Sequence, residues 1–188
     1  MKKRLTIIQM DVHVNDVEYN YTRVQELLSQ SLSEHPDIIV LPETWNTGFY
    51  PSKELINIAD RNGERTQSLL SAFAKEHNVN IIGGSVAVAK NDVVFNTSYA
   101  YNREGTLVGE YSKMHGFSPA KEDQYFAGGT HTTHFELDGI PCSTVICYDI
   151  RFPELVRMAA LPNTELLFVP AQWPTMRLRH WQVLNEVR

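Results

Sequence analysis

The chain has 188 residues, of which 43% are hydrophobic and 21% charged, a balance that suits a buried core and excludes a disordered, strongly charged segment. A net charge of −5 argues against a nucleic-acid or anionic-membrane partner, because either favours a basic face. No apolar stretch approaches the ~20 residues of a membrane span. The basic start Lys2-Lys3-Arg4 meets Gln9, Asp11 and His13 before a signal-peptide core can form, so a cytoplasmic protein is expected.

Residues 5–10 read as a first strand behind a solvated basic end. Asn15, with Glu18 three residues on, has the pattern of a capping box. Val17, Tyr21, Val24, Leu28 and Leu32 then recur at helical spacing until Pro36 stops the run. Residues 38–41 are wholly apolar, as in a short strand buried on both faces. A loop through Gly48 and Pro51 leads to a second helix over 66–77, with Leu69, Leu70 and Phe73 facing inward. Residues 81–88 and 93–101 read as strands joined at Asn91-Asp92, and residues 102–105 turn the chain into a strand over 107–111. Residues 112–129 lack any period, and connections of that length in a compact domain are usually functional. Residues 135–137, the Asp138-Gly139 turn and residues 142–146 form a hairpin pattern. Pro153 suits the first turn of a helix through Ala160. Residues 166–169 are a last strand, and the chain turns helical again from His180. The sum is an α/β chain of mixed strand order, expected as one domain over residues 1–188.

Two cysteines occur, Cys142 and Cys147. On one extended strand their Cα atoms would lie roughly 16 Å apart, beyond the ~7 Å limit of a disulfide, so two free thiols are expected. Cys147 ends an apolar strand shortly before a helix. That turn exposes a side chain, aims helix N–H groups at it and lowers a thiol pKa; the plainer alternative is a small core residue. Glu43 directly follows a buried strand, where a poorly solvated carboxylate suits proton transfer, although capping or a loop ion pair would also place an acid there. A lone lysine such as Lys113 is ordinarily a solvated surface charge, and His115 is expected to hydrogen-bond locally. His131 and His134 are spaced for opposite faces of a strand, which argues against a metal site.

Taken together, three motifs resemble the nitrilase superfamily of carbon–nitrogen hydrolases. Leu41-Pro42-Glu43 is similar to its catalytic glutamate motif. Tyr111-Ser112-Lys113-Met114-His115-Gly116-Phe117 is similar to its lysine motif, with Gly116 where leucine is more usual. The run from Cys147 to Glu154, Cys-Tyr-Asp-Ile-Arg-Phe-Pro-Glu, resembles its nucleophile motif. The resemblance implies an α-β-β-α sandwich with two mixed sheets, homodimers in the full-length form, and neither metal nor organic cofactor. It implies a Cys147 nucleophile, a Glu43 general acid/base, and an oxyanion held by Lys113 and the backbone N–H of Tyr148. Glu122 matches the family's accessory glutamate, and Trp173 a pocket-lining position, although a core role for Trp173 is compatible with that. Gln172-Trp173-Pro174 with Arg177, His180 and Trp181 looks like the branch of ω-amidases acting on 2-oxoglutaramate, where Arg177 could pair with a substrate carboxylate, although a surface ion pair at a helix start is the commoner fate of such an arginine. Deaminated-glutathione and N-carbamoyl amidases of the same superfamily are the alternatives. The sequence stops at Arg188 while Trp181, Leu184 and Val187 are still at helical spacing, so a chain incomplete at its C-terminus, and with it an inactive relic, is a further expectation.

Overall fold

The computed structural model describes residues 2–49, 52–161 and 163–188. Met1 and the loop residue Pro51 lie outside them. In chain order the elements are β1 (Leu5–Ile7), α1 (Val17–Ser31), β2 (Ile38–Val40), α2 (Leu55–Ile58), β3 (Asp60–Arg61), α3 (Glu64–His77), β4 (Asn80–Ile82) and β5 (Val86–Lys90). Then come β6 (Val93–Tyr101), β7 (Leu107–Ser112), β8 (His134–Leu137), β9 (Ile140–Thr144), α4 (Pro153–Ala160), β10 (Leu166–Phe168) and α5 (Leu178–Val187).

Two mixed sheets form. In the larger, β1, β2 and β4 run parallel. β6 lies antiparallel to β4 and β5 and carries β7 on its other edge. In the smaller, β9 sits between antiparallel β8 and parallel β10. The apolar run of β2 needs both faces buried, and the pleat supplies two different neighbours. Ile39 faces Tyr21, Val24 and Leu28 of α1 and Leu70 and Ala74 of α3. Ile38 and Val40 face the other way, packing with Phe135, Leu137, Cys142 and Phe168 of the smaller sheet. Leu155 and Ala159 of α4 cover the far side of that sheet with Val145 and Leu167. The layering is therefore α-β-β-α, as the motifs implied.

Three local readings need correction. Asn15 is not the cap of α1. It takes a left-handed φ of 61°, and Asp16 caps the helix by accepting from the Tyr19 N–H; Glu18 instead pairs with Arg65. The strand expected over 81–88 is broken into β4 and β5 by Gly83-Gly84-Ser85. At Gly84 φ is 61°, and a Cβ there would stand 2.0 Å from the Pro42 carbonyl oxygen, so backbone must pass against backbone. α2 and β3 were invisible to periodicity because each is too short to complete a repeat.

The break in 81–88 has a purpose in the fold. Ser85 N–H donates to Pro42 O, and its hydroxyl and carbonyl oxygens accept from the Thr44 and Trp45 N–H groups. Trp45 returns its ring N–H to Gly83 O at 2.9 Å. Pro42 to Trp45 is thus tied to β4–β5 on both sides of Glu43.

Candidate active site

Glu43, Lys113 and Cys147 each lie just past the end of a strand, β2, β7 and β9 respectively, and the sandwich brings those ends together. The Lys113 ammonium lies 2.8 Å from Glu43 Oε1 and 2.8 Å from both oxygens of Glu122. All three side chains are at most 2% exposed. A buried ion cluster persists only if its lone pairs are used. Here Glu43 also accepts from the Gln172 N–H at 2.9 Å and from Asn96 Nδ2 at 3.1 Å. Glu122 accepts from the Phe117 N–H at 2.7 Å and from the same Asn96 nitrogen at 3.2 Å.

Burial alone would push the Lys113 ammonium down, but Glu43, Cys147 and Glu122 outweigh it and hold the group charged well into alkaline pH. The lysine expected from composition to be a surface charge is therefore a fixed interior cation.

Cys147 sits at a turn with φ of 46°, a conformation uncommon for a side chain with a Cβ. Its N–H is anchored to Pro170 O at 2.9 Å. The helix after it is first a 3-10 turn, Cys147–Arg151, before α4 begins. The expectation of a lowered thiol pKa fails. Desolvation and the negative charge of Glu43 outweigh the Lys113 cation, and the Cys147 thiol is pushed well up. Proximity to two carboxylates, set only by the folded chain, decides the sign.

Asp149 holds this turn in place. Its carboxylate accepts from the Tyr111 hydroxyl at 2.7 Å, from the Ile146 N–H and from the His115 N–H. Burial nevertheless pushes the Asp149 carboxyl up against those donors. His115, stacked on Phe152 with ring centres 3.6 Å apart, is bound through Nδ1 to Asp149 and so has the local role expected of it.

Trp173 packs beside Tyr111, Ile146 and Cys147 and donates its ring N–H to Arg177 O at 2.9 Å. The Arg177 guanidinium lies 5.2 Å from the centre of the Phe117 ring. Phe117 in turn meets Tyr148 edge-on at 5.0 Å. Among the described residues Arg177 makes no ion pair. Glu43, Lys113, Glu122 and Cys147 thus gather in one cluster, with Tyr148, Trp173 and Arg177 at its aromatic edge. Residue reading missed Asn96 and gave Gln172 no role. The signal for Asn96 was an amide inside the otherwise buried strand of residues 93–101; nothing in the chain marked its partners.

A two-sheet sandwich with Glu, Lys and Cys at converging strand ends defines a nitrilase-fold hydrolase of carbon–nitrogen bonds. The carbon-nitrogen hydrolase family model matches residues 4–188, and the chain belongs to that family. It is 41% identical over 184 residues to the 2-oxoglutaramate amidase of Bacillus subtilis, covering 98% of this chain and 70% of the relative. It is 32% identical to omega-amidase NIT2 of Danio rerio, over 100% of this chain and 70% of the relative. Among solved structures, a CN-hydrolase superfamily protein from Xanthomonas campestris superposes with a TM-score of 0.85 at 28% identity, over 97% of this chain and 69% of that one. Nit3 of Saccharomyces cerevisiae, with a TM-score of 0.84 at 24% identity over 97% of this chain and 69% of that one, shares the fold. The chain spans about 70% of these curated relatives' own length. The protein is an amide-acting hydrolase. Among the described residues no helix is long and apolar enough to cross a membrane.

Proposed function

We propose that the chain hydrolyses a small amide bearing a distal carboxylate, 2-oxoglutaramate foremost, through a thioester on Cys147. The observation that carries the reading is the Lys113 ammonium fixed 2.8 Å from Glu43, with the Cys147 thiol near enough that both charges act on it. Because the thiol rests protonated, the nucleophile forms during attack. Glu43 takes the Sγ proton as sulfur adds to the amide carbonyl. The oxyanion is met by the Lys113 ammonium and by the Tyr148 N–H, which lies in the first turn of the 3-10 helix, where such groups lack an intrahelical acceptor. Glu43 passes the proton to the nitrogen, the C–N bond breaks and ammonia leaves. Glu43 then takes a proton from water as the oxygen adds to the thioester. Collapse releases the acid, and the proton returns to sulfur.

Glu122 keeps Lys113 aimed rather than entering the proton transfers. Arg177, lacking an acidic partner among the described residues and backed by Phe117, is placed to take the distal carboxylate as an ion pair. The names of the bacterial and vertebrate relatives support that substrate class. Ammonia release from 2-oxoglutaramate, an N-carbamoyl amino acid and a neutral short-chain amide should rank in that order. Intact-mass measurement during turnover should reveal an acyl adduct on Cys147. A preference for the neutral amide would sink the keto-acid assignment, and the absence of any adduct under slow turnover would sink the thioester.

A further inference from the structure

We propose that Asn96 is a positioning residue for proton transfer at Glu43, an inference that rests on the proposed Cys147–Glu43–Lys113 reaction. Asn96 is 1% exposed in the middle of β6. Its side-chain nitrogen donates to Glu43 Oε1 at 3.1 Å and to Glu122 Oε1 at 3.2 Å. The Lys113 ammonium donates to the same two oxygens from 2.8 Å. Two carboxylate oxygens are therefore clamped between two nitrogens, one charged and one neutral. Asn96 also takes the Lys113 N–H on its backbone oxygen at 2.9 Å, so one residue fixes both the lysine's backbone and the acids its side chain meets.

The amide orientation is dictated by charge. Turning it over would aim Oδ1 at two carboxylate oxygens, and no donor would stand between them. In the orientation adopted, Oδ1 is buried and meets no donor among the described residues. Asn96 acts here through its donor, which meets both acids. Its contribution is separation of roles. Lys113 has three N–H groups: one serves Glu43, and one directed between the oxygens of Glu122 serves both. A third is then left for the oxyanion. Without the Asn96 donor, the two carboxylates would draw on the lysine for the missing bond, and the third N–H would be taken from the oxyanion.

The test uses the whole chain with 2-oxoglutaramate and compares Asn96→Ala and Asn96→Asp with the parent and with Cys147→Ala. Asn96→Ala takes the shared donor from two buried carboxylates, so its melting temperature should fall modestly while the chain still unfolds cooperatively. Its kcat should fall about 30- to 100-fold, in line with loss of a charge-assisted bond, with KM within about threefold. Asn96→Asp keeps the shape but puts an acceptor where the donor was. Its kcat should be lower still near neutrality, recovering as the pH falls and the new carboxyl protonates into a donor. Parental kcat in Asn96→Ala, a loss carried by KM rather than kcat, or an Asn96→Asp chain whose kcat does not recover as the pH falls would each overturn the proposal. A Cys147→Ala chain that still turns over would instead overturn the reaction on which it rests.

Discussion

The three strands that deliver the site carry charges at both ends, and the two clusters so formed invite comparison. After β2, β7 and β9 stand Glu43, Lys113 and Cys147. Before β2, before β7 and in the β8–β9 turn stand Asp37, Arg103 and Asp138. Each cluster sets two carboxylates on a shared cation, Arg103 in one and Lys113 in the other. Arg103 reaches Asp37 and Asp138 at 2.8 and 2.7 Å, with Lys3 adding a bond to Asp138. Lys113 reaches Glu43 and Glu122 at equal distances. The difference is water. The Arg103 group is 18–32% exposed, the Lys113 group at most 2%. An exposed cluster can staple the larger sheet to the β8–β9 turn at small gain, because solvent screens it. A buried one contributes little net stability but fixes charge where a reaction can use it.

The largest contrast should be in turnover. Cys147→Ala and Glu43→Gln should each lose activity by about 10⁴-fold or more, since the first removes the proposed thioester and the second the proposed general base. Arg103→Met should change kcat less than about threefold. Steady-state ammonia release checks both, and a comparable loss in Arg103→Met would erase the functional distinction between the clusters.

Stability should divide the same way. Lys113→Met leaves two carboxylates buried without their cation and should cost about 3–5 kcal/mol in denaturant unfolding. Its Cys147, if the chain folds, should remain open to slow alkylation. Arg103→Met should cost about 1 kcal/mol, a deficit that shrinks in concentrated salt. Equal costs for the two would mean that burial is not what separates them.

Protonation sharpens the comparison from both ends of the scale. Bonds from Arg103 and Lys3 hold the Asp138 carboxyl well below its ordinary value despite partial burial, and Asp37 is lowered as well. A depressed folded pKa gives stability that is present above the unfolded value of about 4 and is lost as the pH falls further. The parent should therefore lose stability below about pH 4 more steeply than Arg103→Met does. At the other cluster the raised Cys147 thiol should show no thiolate absorbance near its ordinary pKa of 9.0. A thiolate already formed at neutral pH would contradict the concerted attack.

The smallest effect sought is positional. Gly84→Ala would set a Cβ against Pro42 O at a left-handed φ. It should cost about 2 kcal/mol and displace Glu43 enough to lower kcat about tenfold. Parental activity with a parental melt would show that the β4–β5 break does not register Glu43.

The sequence by itself determined where strands end and which residues stand just past those ends. Apolar runs are local, and Glu43, Lys113 and Cys147 each stand within three residues of one, so the motifs were legible with the α-β-β-α layering they implied. Glu122 was legible only by resemblance, because the turns of residues 112–129 have no period to read. Tertiary structure alone decided the rest. The break at Gly83-Gly84-Ser85 depends on the passing Pro42 carbonyl, which lies about forty positions away in sequence, so the run 81–88 read as one strand. Asn96 gained its meaning from two carboxylates on other segments. The thiol pKa reversed its expected direction because burial and the Glu43 charge outweigh both the local turn and the Lys113 cation. Hydrophobic period is a property of neighbours in sequence; protonation and hydrogen bonding are properties of neighbours in space, and folding is what supplies those.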